Sequence, residues 1–121
     1  MKNVLLWVLT VATAAMFLFS GVLKLAGVEM MVQLFATIGI GQWFRYLTGL
    51  LEISGAIGLF VAPLAPFAAL QLAAVMIGAV ATHLFIAGGS PIVPILLLAS
   101  LLTIAWLRRE QFSSARVRIA G

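Results

Sequence analysis

Residues 53–107 read ISGAIGLFVAPLAPFAALQLAAVMIGAVATHLFIAGGSPIVPILLLASLLTIAWL, without one formally charged side chain. As a single helix these residues would run about 82 Å at 1.5 Å per residue, against a membrane hydrocarbon core of about 30 Å. The stretch must fold back on itself, and two sets of breakers mark the places. Pro63-Leu64-Ala65-Pro66 is a turn too short for anything but antiparallel neighbours, and Gly88-Gly89-Ser90-Pro91, followed by Pro94, is the second. Working outward, the pattern predicts spans at about 45–62, 67–87 and 92–107, and residues 3–23 form a fourth uncharged run. The predicted fold class is all-α, an integral membrane four-helix bundle in a single domain over 1–121. Strands do not fit, because the apolar runs are continuous rather than alternating and a closed barrel needs at least about 8 strands.

Composition supports the same class. Of the 121 residues 64% are hydrophobic and 8% charged, where a soluble domain has about 45–50% and about 25%. The absence of cysteine excludes disulfides, thiolate catalysis and a thiol-ligated iron–sulfur cluster on this chain. Lys2, the run 4–11 and Ala12-Thr13-Ala14 imitate a signal peptide. The apolar run continues through Met16-Phe17-Leu18-Phe19, however, which favours a retained span.

The one long connection, 24–45, carries Val28, Met31, Leu34, Phe35 and Ile38 at helical spacing, with Glu29 and Gln33 between them. This predicts a short amphipathic helix at the membrane surface between the first and second spans, ended by Gly39-Ile40-Gly41. Four crossings put both termini on one side. That side holds Lys2, Arg108, Arg109, Arg116 and Arg118, and the other holds Lys24 and Arg45. The positive-inside rule therefore places both termini in the cytoplasm of a multi-pass inner-membrane protein. The basic tail 108–121 reads as an anchor facing anionic lipid. The net charge of +4 thus calls for a lipid bilayer and no nucleic acid, since no aromatic stacking platform accompanies the arginines.

Ionisable groups are rare in membrane spans because each costs a few kcal/mol or more at the bilayer centre. Four need an account: Lys24, Arg45, Glu52 and His83. Lys24 shares a helix face with Ser20, Phe17, Thr13 and Thr10, a stripe expected to look into the bundle. Arg45, Gly49, Glu52 and Ala56 share a second face. His83 falls about 6 Å inside the end of its span, beside Thr82. The predicted site is a polar pocket in the outer leaflet built from Lys24, Arg45, Glu52 and His83, supported by Ser20, Gln33 and Thr82 and lidded by the segment around Glu29 and Gln33. Gln71 is assigned to the cytoplasmic half. One His and one buried Glu fall short of a metal coordination set, so no metal is expected. Each residue also has a structural reading: Lys24 and Arg45 as snorkelling anchors at span ends, Glu52 as half of an ion pair fixing helix packing, His83 as a hydrogen-bonded bundle histidine. Ser54-x-x-x-Gly58 and Ala74-x-x-x-Gly78-x-x-x-Thr82 read as close-packing faces, and Trp7, Trp43, Tyr46 and Trp106 as an interfacial belt.

Ser20-Gly21-x-x-Lys24-Leu25, Arg45-x-x-x-Gly49-x-x-Glu52-x-x-Gly55 and Met76-x-x-Ala79-x-x-Thr82-His83, in four spans with a long first loop, resemble the DoxX and DoxX-like family of small bacterial membrane proteins. The resemblance covers roughly 13–107. It implies a subunit of a membrane-associated oxidoreductase, as in thiosulfate:quinone oxidoreductase, with Lys24, Arg45, Glu52 and His83 as the polar site residues. The lack of cysteine argues against a thiol or persulfide step on this chain.

Three functions remain open at this level. In the first, the pocket takes a quinone or other lipid-soluble substrate, with His83 and Glu52 handling protons and Lys24 and Arg45 favouring an anionic species. No resident cofactor motif is present, so no cofactor is expected beyond the quinone this reading would let the pocket bind, and electrons come from a protein partner or the substrate. In the second, the chain is a non-catalytic scaffold binding a protein partner or a second copy of itself. A small transporter comes third, because no inverted repeat or midplane-broken helix is evident.

Overall fold

The structure, a computed structural model, describes residues 2–61 and 63–108. Among these residues every regular element is helical. The chain runs through α1 (Lys2–Ala26), α2 (Glu29–Ile38), α3 (Trp43–Gly58), α4 (Ala65–Thr82), a π-helical turn (His83–Ala87) and α5 (Ile92–Leu107). Helix α1 packs on α3, α3 on α4, α4 on α5, and α5 returns to α1. Helix α2 lies across one end, against α3 and the π-turn.

Two of the helices, over Val4–Ala26 and Ala65–Ile86, are long and apolar enough to cross a membrane by length and composition. The other two of the ring, α3 and α5, have 16 residues each, about 24 Å at the standard rise. The second expected span, 45–62, begins two residues earlier and ends at Gly58. Its exit tightens to i→i+3 bonds, with the Phe60 amide donating to Ile57 O and that of Val61 to Gly58 O. Residue 62, the expected end of that span, and residues 109–121 of the expected basic tail lie outside the described residues. The third span starts at Ala65 rather than 67, since Pro66 is tolerated in the first turn of a helix. Pro94 is likewise housed in the first turn of α5 and does not interrupt it.

The amphipathic segment is helical as its spacing predicts. Phe35 is its buried residue, in edge contact with Phe44 at 5.8 Å between ring centroids. The Gln42 amide also ties α2 to the start of α3 by donating to Val32 O at 3.1 Å.

Buried apolar side chains concentrate at one end of the ring. Ala14 and Phe17 come from the middle of α1, Ala56 and Leu59 from the end of α3, Leu72 and Met76 from α4, and Leu101 and Ile104 from late α5. The α1 stripe faces inward too, with Thr10, Thr13 and Lys24 buried alongside Phe17. Thr10 meets its hydroxyl's needs by donating to Leu6 O.

Helices α1 and α3 approach most closely at Gly21 and Gly49. A Cβ on Gly21 would stand 2.9 Å from Gly49 O and 2.6 Å from Ile53 Cγ1, and one on Gly49 would stand 3.1 Å from Gly21 O. Only hydrogen fits at this crossing, which brings α1 and α3 close enough for their polar side chains to meet. Within the chain, Ala74-x-x-x-Gly78-x-x-x-Thr82 does not pack against a neighbouring helix at its central glycine. A Cβ on Gly78 would meet nothing within 4 Å, because this face of α4 borders a cavity instead of a helix.

Candidate functional site

The Lys24 ammonium lies 2.6 Å from Glu52 Oε1, with the Glu52 side chain fully buried and that of Lys24 11% exposed. The ammonium also donates to Ser20 Oγ at 2.7 Å, one turn back along α1. Lys24 therefore does not snorkel toward the helix end; its charge is turned back along the helix. The ion pair is a contact of charges outside hydrogen-bond alignment, and neither Glu52 oxygen has a hydrogen-bond partner. Oε2 in particular is a buried acceptor without a protein donor, a state costing about 1–3 kcal/mol where nothing fills it.

Arg45 takes a different place from the one expected. Its guanidinium donates through Nη1 to the carbonyl of Lys24 and through Nε to Gln42 Oε1 at 2.8 Å. Its Cζ lies 4.3 Å from the centre of the Tyr46 ring. A helix leaves its last carbonyls without intrahelical donors, and a cation there also complements the helix dipole. Arg45 is thus a cap on the end of α1 rather than a wall of the pocket. Lys24 is gripped at both ends, its carbonyl by Arg45 and its ammonium by Glu52, each from α3.

A cavity of about 820 Å³ opens beside this pair. Ser20, Lys24, Glu52, Thr82 and His83 all line it. Most of its wall is apolar: Phe19 and Leu23 from α1, Leu51 from α3, Val75 and Ala79 from α4, and Val93 and Leu97 from α5. Met31, Leu34, Phe35 and Ile38, the apolar face of α2, close one end. Gln33 is on the outer face of α2, exposed and away from the cavity. The helical period explains this, since Gln33 lies between the inward positions 31, 34, 35 and 38.

His83 opens the π-turn, and its Nδ1 lies 2.9 Å from Gly88 O. A carbonyl only accepts, so Nδ1 carries the hydrogen of this bond, and Nε2 is the nitrogen left over. Gly88 and Gly89, with φ of +75° and +80°, make the sharp reversal that returns this carbonyl to the ring. π-Turns occur often at functional sites, and no residue type announces this one.

Two glutamines that sequence reasoning does not place in the site bear on it. Gln42 links Arg45 to α2. Gln71 lies in the first half of α4, between the buried Ala69 and Leu72, and still lines the same cavity, donating through Nε2 to Leu51 O at 3.0 Å and Ser54 Oγ at 3.2 Å. A glutamine amid 55 uncharged residues was a usable signal. Its distance from His83 along α4, about 18 Å by the helical rise, obscures their common wall. Among the described residues no three His, Cys, Asp or Glu side chains gather as a metal site would require.

A family model described as the DoxX-like family matches residues 8–107, and the chain belongs to that family. No curated protein and no solved structure matches.

Proposed function

We propose, from the membership of the DoxX-like family and the chamber beside Glu52, that this membrane protein binds a quinone or another lipid-soluble amphiphile for a membrane-associated oxidoreductase system. The observation that carries the reading is a mostly apolar cavity of about 820 Å³ whose few polar lining residues include the Lys24–Glu52 ion pair and His83. Pockets of roughly 300–1,000 Å³ with apolar walls and few polar groups suit small hydrophobic ligands. Glu52 and His83 supply proton-handling groups at such a ligand, and Lys24 balances the carboxylate charge. The electrons belong to a protein partner or to the substrate.

The topology proposed with this reading is a single domain of four inner-membrane spans, α1, α3, α4 and α5, with both termini cytoplasmic. The 16-residue helices α3 and α5 cross with the help of their flanking segments, and local thinning accommodates short spans at modest cost. Exposed Leu, Ile, Val and Phe along all four helices support contact with lipid or with a protein partner, a second copy included.

Organic extraction and mass spectrometry of protein purified gently from its native membrane test the site. The expected result is a quinone-type amphiphile near one per chain in wild type and lost in His83→Ala and Glu52→Gln. Bulk phospholipid alone, equal in all three proteins, overturns the reading. A scaffold role is the second reading, favoured by the way Glu52 and Arg45 both hold Lys24. It expects Glu52→Gln to lower thermal stability and complex yield with no change in bound small molecules.

A further inference from the structure

The cavity beside Lys24 and Glu52 is bounded differently on its several sides. Its α2 end is shut. The apolar face of α2 lies over it, with Phe35 only 4% exposed and set edge-on against Phe44. Gln42 pins this cover, because its two amide atoms serve different partners. Oε1 accepts from Arg45 Nε at 2.8 Å, and Nε2 donates to Val32 O on α2 at 3.1 Å. Arg45 also holds the Lys24 carbonyl, so one run of hydrogen bonds ties α1, α3 and α2 together across this end.

The seam between α3 and α4 is built in the opposite way. Toward the turn that joins them it is tight, with Leu72 against Gly55 and Ala68 against Gly58. Gln71 makes the last tie, from its Nε2 to Leu51 O and Ser54 Oγ. Beyond it, α4 presents Ala74 and Gly78, which are exposed and also line the cavity. Nothing lies within 4 Å of where a Cβ on Gly78 would stand. From α3 come Thr48 and Leu51. The side-chain donors along this seam are all spent inside the protein. Thr48 donates to Phe44 O, Ser54 to Leu51 O and Thr82 to Gly78 O, and both amide hydrogens of Gln71 are engaged. Hydrocarbon offers a donor no acceptor, and here none is asked of it. The third boundary, between α1 and α5, is flanked by Met16 and Phe19 on one side and Val93 and Leu97 on the other, side chains with the bulk to fill a gap.

We infer that the cavity exchanges its ligand sideways with the bilayer, through the seam between α3 and α4 beyond Gln71, and is closed to water at its α2 end. The inference rests on the reading above of a membrane-spanning site for a lipid-soluble amphiphile. It adds the route and the way the ligand lies, with its polar group toward Lys24 and His83 and its alkyl tail leaving past Ala74 and Gly78.

The chain has no cysteine, so Ala79→Cys puts a sole thiol on the cavity wall and Ala36→Cys a sole thiol on the exposed face of α2. Each is labelled in nanodiscs of phosphatidylethanolamine and phosphatidylglycerol with two reagents, lipid-dissolved N-hexadecylmaleimide and the charged, water-borne trimethylammonioethyl methanethiosulfonate. The readout is the ratio of the two rates, in which the thiol's own reactivity cancels. At Ala79→Cys this ratio is expected to favour the lipid reagent by about tenfold more than at Ala36→Cys, a barrier difference of about 1.4 kcal/mol. Thr48→Phe and Ala74→Phe, on the two edges of the seam, are each expected to slow the lipid reagent at Ala79→Cys several-fold, while Val93→Phe leaves it unchanged. Seam variants that label as fast as before, slowing by Val93→Phe instead, or a charged reagent as fast at Ala79→Cys as at Ala36→Cys overturns the route and leaves the cavity a ligand site. If neither reagent reaches Ala79→Cys, the reading of the cavity as an amphiphile site falls together with this one.

Discussion

At the end of the molecule where α3 turns into α4, Ala56, Leu59, Ala69, Leu72, Leu101 and Ile104 are fully buried against one another. At the other end the same helices stand apart around some 820 Å³ of space, with a lysine and a glutamate in contact on its wall. The two regions share backbone geometry and mean apolar character, so the difference lies in side-chain size and placement. Gly55 admits the Leu72 side chain, within 2.7 Å of where a Cβ would stand, and Gly58 admits Ala68 at 2.9 Å. Higher along α4, Gly78 faces nothing within 4 Å. Small residues close the packing in the first region and leave room in the second, because in one the neighbouring helix advances and in the other it does not. A small-residue motif alone therefore does not distinguish a contact from a chamber.

The largest expected effect lies at the open end. Glu52→Ala strands the Lys24 ammonium without its counter-charge and should cost about 3–5 kcal/mol of stability, measured by denaturant titration in mixed micelles. Lys24→Met/Glu52→Leu should regain most of that loss, since removing both buried charges is often neutral or stabilising. If the double variant is no better than the single one, packing around Glu52 and not charge governs this end. At the closed end, Leu72→Ala removes a fully buried side chain and should cost about 2–5 kcal/mol. Leu97→Ala on the cavity wall should cost distinctly less in the same titration, and equal losses would erase the contrast between the regions.

Gly49→Leu tests the crossing that joins them. Its side chain has Gly21 O and Leu25 in its way, and overpacking of this kind costs about 1–3 kcal/mol. Because it also separates α1 from α3, ligand retention should fall along with stability. The smallest stability change belongs to Gly78→Leu, expected within about 0.5 kcal/mol of wild type, yet the new side chain occupies the chamber. Extraction from the native membrane should then recover a folded protein without its amphiphile. A Gly78→Leu protein that retains ligand at the wild-type level would place the binding site elsewhere.

Most of the helical layout is legible in the chain, for a mechanical reason. An uncharged run nearly three bilayers long has to reverse, and Pro63 and Gly88-Gly89 are where its backbone can do so. The spacing of Met31, Leu34, Phe35 and Ile38 likewise predicts which side of α2 is turned inward. Helix periodicity places Lys24 and Glu52 on polar stripes but does not state which partner each takes. That depends on how closely α1 and α3 approach, which Gly21 and Gly49 decide from different segments. Arg45 illustrates the opposite failure. Sharing a stripe with Glu52 suggests a common pocket, but the two are seven residues apart on α3, and the chain reversal at Gly27 brings the Lys24 carbonyl to Arg45 first. The π-turn at His83–Ala87 has no compositional signature, so the orientation it gives His83 is visible only in three dimensions.

The double hold on Lys24 has a consequence for motion. With its carbonyl anchored by Arg45 and its ammonium by Glu52, the C-terminal part of α1 is fastened to α3 at two depths. Among the described residues no ion pair ties down the opposite wall, where α4 passes into the π-turn and meets α2. His83 sits on that wall and Glu52 on the doubly held one. The distance between them is then a gauge of whether the chamber is clasped or slack.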